Sequence, residues 1–94
     1  MKEPIIKSSG NVFRDLGFSP EKAAILQMRS EVMADLRKFI KTKKLTQAKA
    51  ADIFGVSQSR VSDLTRGKWE KFSLEMLISL ATKAGMRISL KRAA

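Results

Sequence analysis

Between Ser57 and Arg66 the chain concentrates groups suited to reading a polar surface by hydrogen bonds: Gln58, Ser59, Arg60 and Ser62, with Asp63 beside them. A glutamine amide sets a donor next to an acceptor, which matches the major-groove edge of adenine. A guanidinium matches the edge of guanine, or a phosphate. The two serines are short enough to let a helix that bears them sit deep in a groove. Other chemistry is poorly supplied. There is no His, no Cys and no Tyr, which removes imidazole and thiol catalysis, a disulfide framework and a zinc–thiolate site. No glycine-rich phosphate loop of the usual form occurs, and carboxylates such as Asp52 and Asp63 are scattered. Neither an enzyme nor a cofactor nor a metal is expected.

A helix is needed to display those groups together. At about 100° per residue, Ser57, Val61 and Leu64 share one side, Ser59, Ser62, Asp63 and Arg66 the other, and Gln58 and Arg60 flank the outer face. Ser57 is a good cap for this helix, and Gly67 follows its end. Just upstream, Thr46 caps a helix that reaches Phe54 and stops at Gly55. Two short helices crossing steeply over a tight turn make specific demands. The first needs a small residue at the crossing, and Ala51 supplies it. The turn needs a residue tolerant of positive φ, and Gly55 supplies it. Ala50, Phe54, Val56, Val61 and Leu64 give the apolar interior. The spacing predicts a helix-turn-helix over residues 47–64.

The flanking elements follow from period and caps. Ser19-Pro20-Glu21 starts a helix, and Ile25, Met28, Val32, Leu36, Phe39 and Ile40 recur at spacings of three and four to about Thr42. A break near Ser30 is compatible with so long a run. Phe72-Ser73 opens a further helix with Leu74, Leu77, Ile78 and Ala81 inward, ending at Gly85. Met86, Ile88 and Leu90 then alternate with Arg87, Ser89 and Lys91, a strand pattern. One strand alone is not stable, and no second strand is evident, so these three apolar residues are expected to pair with a second copy across a two-fold axis. Trp69 could stack on a base or insert into DNA, but is rather expected to pack between the third and fourth helices. Residues 1–18 read as a partly flexible N-terminal arm, in which Val12, Phe13 and Leu16 either anchor a partner or cover the base of the long helix. Residues 19–94 read as a single domain.

Charge narrows the partner. Nineteen Lys and Arg against nine Asp and Glu give a formal +10, which favours a polyanion: DNA, RNA or an anionic membrane surface. From Arg37 to Lys49 there are six basic residues and no acid, and none occurs from Met76 onward. Readers of single-stranded RNA display exposed aromatics on sheets or loops, whereas the Phe residues here fall mostly on helix stripes. A membrane-surface protein needs a basic amphipathic helix free of tertiary packing. No run approaches the roughly 20 apolar residues of a membrane span, and the N-terminus lacks the apolar core of a signal peptide, so the protein is read as cytoplasmic. Double-stranded DNA fits best. Its phosphates are expected to meet Gln47 near the positive end of its helix, together with Ser57, Lys43, Lys44, Lys49, Arg66 and Lys68.

The residues Leu45-Thr46-Gln47-Ala48, Ala51, Gly55-Val56-Ser57-Gln58, Arg60-Val61-Ser62-Asp63-Leu64 and Arg66-Gly67 resemble the phage-repressor (XRE) helix-turn-helix class. With Gly10-Asn11-Val12-Phe13 and Asp15-Leu16-Gly17 upstream, and Phe72-Ser73-Leu74 with a terminal strand downstream, residues 10–91 resemble one branch of HigA-like antitoxins. The resemblance implies an all-α, repressor-like helix-turn-helix bundle of four to five helices with a short C-terminal β-strand. It implies a homodimer on a palindromic operator, a phosphate contact at Gln47, and a toxin partner related to RelE-type ribonucleases. A stand-alone XRE-family repressor or activator shares the central motif. One departure is Ala50, where many members carry Leu, so that Phe54 or Met33 must fill the space.

Overall fold

The computed structural model describes residues 12–89. Five α-helices follow one another: α1 (Val12–Asp15), α2 (Pro20–Thr42), α3 (Gln47–Phe54), α4 (Gln58–Thr65) and α5 (Leu74–Lys83), with a 3-10 turn at Trp69–Lys71 between the last two. The sequence explains each start. Ser19, Thr46, Ser57 and Ser73 are extended residues whose hydroxyls accept the backbone N–H three residues on, from Lys22, Lys49, Arg60 and Met76. Each such cap is worth about 1 kcal/mol. Pro20 occupies the first turn of α2, where its missing N–H costs nothing.

The long helix is the spine. It runs unbroken through Ser30, and 23 residues make it about 35 Å long. Its buried face is Ala23, Leu26, Val32, Met33, Leu36 and Ile40. From Val32 onward this face joins one core with Ala50, Ala51, Phe54, Val61, Leu64, Phe72, Leu77, Leu80 and Ala81. Phe54 and Met33 both lie in the same core as the small Ala50. The first turns of α2 project past it and are covered by α1 and the 3-10 turn, both of which pack on α2. Ile25, expected on the inward stripe, is 42% exposed, while Leu26 beside it is buried. No helix among the described residues is long and apolar enough to cross a membrane.

Among the described residues the expected terminal strand is not formed. Met86 donates its N–H back to Ala81 O at 2.9 Å, and residues 86–89 then run along α2 without regular structure. Met86 borders a cleft with Phe39 and Thr42, and Ile88 one with Met28 and Val32. The segment therefore travels back along the helix, with Met86 and Ile88 half-buried on the core and Arg87 and Ser89 exposed. The period of two is genuine, but it marks one face laid on a helix. A ladder needs a second strand, and the described residues contain none. Leu90 lies outside the described residues, as do residues 1–11.

Candidate nucleic-acid interface

Helices α3 and α4 pack together and hold the candidate groups. The turn between them depends on Gly55, which closes α3 at φ 69° and ψ 36° and gives its N–H to Ala51 O. Val56 N–H bonds the same oxygen at 3.0 Å, so a carbonyl at the end of α3 is satisfied by a left-handed cap. A Cβ at Gly55 would meet nothing nearer than Lys83 Nζ at 3.4 Å. The requirement for glycine here is the backbone angle, not space. Ala51 is buried at the crossing.

On α4 the inward pair Val61 and Leu64 is buried, which fixes where the other residues face. Gln58 and Ser59 are exposed in the first turn, and Ser62 is half-buried behind them. Ser57 Oγ caps Arg60 N–H and lies 3.2 Å from Ser59 Oγ. The first turn is thus held by its own hydroxyls, with the Gln58 amide projecting from it.

Arg60 stands differently. Its Nη1 donates to Lys71 O at 3.2 Å, and its guanidinium lies 5.4 Å from the centre of the Phe72 ring. It is half-buried and anchors the 3-10 turn to α4. Asp63 faces the same turn, 3.9 Å from Lys71 Nζ. One flank of α4 is therefore fastened to the 3-10 turn by Arg60 and Asp63. Nothing in the local pattern of α4 pointed to this, because the partners lie eight or more residues along the chain.

The remaining candidates surround the two helices. Gln47 is the first residue of α3 and is exposed, as is Lys49. Lys43 ends α2 with its Nζ 6.0 Å from the centre of the Phe39 ring. Lys44 is in the left-handed region at φ 53°, unlike every other described non-glycine residue. Arg66 caps the end of α4 and is exposed, while Lys68 is half-buried beyond Gly67. Met86 and Ile88 sit apart, on α2.

Two features escaped the sequence reading. A cleft of about 390 Å³ opens between α2 and the end of α4, lined by Ala34, Arg37, Lys38, Ile40, Lys41 and Thr65. The basic run was visible in sequence, but not which of its members share a side. Secondly, Trp69 does not lie between α4 and α5. It is 37% exposed, edge-on to Phe13 at 6.2 Å and 5.6 Å from the Arg29 guanidinium. Phe13 also meets Phe18 edge-on at 6.2 Å. Among the described residues the large exposed apolar side chains are Val12, Leu16, Phe18, Ile25 and Trp69, most of them on or beside α1.

A family model described as a helix-turn-helix domain matches residues 12–91. No curated protein matches the chain.

Proposed function

Because the chain belongs to the helix-turn-helix domain family, and so to DNA-binding regulators, we propose that it reads a palindromic operator as a homodimer and acts as the antitoxin of a type II toxin–antitoxin pair. The observation that carries the DNA reading is the α3–α4 unit. Gln58, Ser59 and Ser62 lie in the part of α4 that repressor-like docking puts into the major groove. Gln47, Ser57, Lys43, Lys44, Lys49, Arg66 and Lys68 provide for the phosphates. Arg60, expected to read a base, holds Lys71 O with one Nη1–H and keeps further guanidinium N–H donors for the DNA. The protein is not a catalyst in this reading and needs no cofactor.

Dimerisation is assigned to Met86, Ile88 and Leu90 as a backbone edge. Residues 87–89 make no hydrogen bond with another described residue. Pairing them antiparallel with a second copy would satisfy those groups and form the strand that one chain cannot. It would also set two α4 helices about 34 Å apart, one turn of DNA. Since Met86 and Ile88 already lie on their own core, the gain comes chiefly from the backbone ladder.

The toxin reading rests on the resemblance and on the exposed apolar set at the α1 end, which DNA has no use for. That surface suits a protein partner, a RelE-like ribonuclease that the chain would neutralise while repressing its own operon. A stand-alone repressor or activator leaves this surface unexplained. The test is to express the reading frame adjacent to this one and titrate its product with the full chain. Saturable binding that Leu16→Asp abolishes, with unchanged DNA affinity, supports the antitoxin. A neighbour that neither binds nor arrests growth leaves the stand-alone regulator.

A further inference from the structure

The two flanks of α4 are unequal. One is fastened to the 3-10 turn through Arg60 and Asp63. On the other, Gln58, Ser62 and Thr65 stack at spacings of four and three, one above another on the helix surface. Thr65 is the last of them, and it lines the cleft whose other wall is α2. The polar stripe that starts at Gln58 thus runs directly into that cleft.

Its walls are cationic. Leu36 and Ile40 are buried on the inner side of α2, which leaves Arg37, Lys38 and Lys41 on an outer side, with Lys41 four and three residues from the other two and so a neighbour of each. All three are exposed, no acid lines the cleft, and none of the three makes an ion pair within the described residues. Arg37 is also placed by contact. Its Nη1 lies 3.2 Å from where a Cβ on Gly67 would stand, so the glycine that ends α4 gives the guanidinium room beside the helix terminus. The carboxyl end of a helix repels phosphate. Three cations beside that end, none of them in an ion pair within the described residues, oppose that field.

We propose that this cleft is a phosphate clasp, in which Arg37, Lys38 and Lys41 hold the DNA backbone that borders the groove read by Gln58 and Ser62. The inference rests on the DNA-binding reading and extends it to residues of α2 outside the helix-turn-helix. The clasp sets affinity and register on the duplex and carries no base preference. The Arg60 anchor occupies the opposite flank, so the clasp adds its phosphate contacts on the Thr65 side of α4.

The test uses the full chain and a duplex selected from random sequence, with a random duplex for comparison. Affinity is measured by fluorescence anisotropy between about 50 and 200 mM salt. Each phosphate neutralised contributes a slope of about 0.9 in log K against log salt. Lys38→Ala/Lys41→Ala should lower that slope by nearly two and leave the ratio of selected to random affinity within about twofold of the parent. Lys22→Glu, on the first turn of α2, changes net charge by the same two units and should leave the slope as it is. An unchanged slope in the double variant overturns the clasp, as does an equal fall in the Lys22→Glu control. Should the parent itself fail to bind duplex DNA, the DNA reading falls and the clasp with it. Titration with inorganic pyrophosphate, followed by amide shifts at Lys41 and Thr65, separates the sources. Saturation there with an unaltered DNA slope identifies a site for a free anion and overturns the assignment to DNA.

Discussion

Replacing Lys44 with glycine should make the protein more stable and a poorer DNA binder at once. Lys44 adopts φ 53° directly after α2, with its N–H bonded to Lys41 O at 3.1 Å. A non-glycine residue in the left-handed region costs about 1–2 kcal/mol. Glycine removes that strain but returns about 0.5–1 kcal/mol through the larger freedom of the unfolded chain. The net gain is about 0.5–1 kcal/mol, which raises the melting temperature by about 4 °C in a domain of this size. Lys44→Ala keeps the strained angle and loses the charge, so its melting temperature should stay within about 2 °C of the parent. If the amine meets a phosphate, both variants lower the salt slope by about 0.9, and each loses about threefold less affinity than the parent between 50 and 200 mM salt. Differential scanning calorimetry and anisotropy on the same three proteins supply both readings. Should Lys44→Gly prove less stable than Lys44→Ala, the strain argument is wrong. Should either variant keep the full slope, Lys44 does not touch the backbone, and its strained angle has no functional explanation.

Other substitutions probe the frame. Arg60→Ala should cost about 1–2 kcal/mol, through the lost hydrogen bond to Lys71 O and the lost contact with Phe72; a thermal melt identical to the parent would mean the anchor contributes nothing. Ala51→Leu should overpack the α3–α4 crossing by roughly 1–3 kcal/mol, and Gly55→Val should cost a similar amount through backbone strain alone, both read from chemical denaturation. Truncation after Gly85 should yield monomers by light scattering and weak operator binding; it should also cost some stability, because Met86 and Ile88 leave the core. A truncated protein that remains dimeric would place the interface elsewhere.

The helix-turn-helix was legible because its determinants are local. A hydroxyl at each cap, Ala51 at the crossing and Gly55 at the turn act within a few residues of their own position, and the structure places all of them as the spacing required. The features that were not legible depend on distant partners. The period of Met86 and Ile88 specified one apolar face but not what it would meet, and α2 took the place of a neighbouring strand. Ile25 and Leu26 are both apolar neighbours on α2, and only the tertiary packing decides that Leu26 is the buried one. Arg60 sits at a position whose helical angle leaves it between two faces; Lys71 and Phe72, brought alongside by the 3-10 turn, decide its direction. Trp69 was drawn to Phe13 and Arg29 for a similar reason, since α1 gave it an aromatic edge that α5 did not. Of the candidate contacts, Gln47, Gln58, Ser59 and the lysines at the end of α2 were singled out by charge and position, and all of them are exposed. The sharing of one cleft by Arg37, Lys38 and Lys41 needed the helix angle and the place of Thr65.

Helix α4 is assigned here to reading base sequence through Gln58. The most direct measurement is the affinity of the parent and of Gln58→Ala for the selected duplex, for each of its single-base variants and for random duplex, all at one salt concentration. The parent should prefer its selected site to random DNA by at least about a thousandfold. Gln58→Ala should lose roughly 1–3 kcal/mol on that site, with discrimination relaxed at one base pair in each half-site and retained at the others. A parent that binds selected and random duplexes alike, or a Gln58→Ala variant that loses affinity equally on every sequence, would contradict the account.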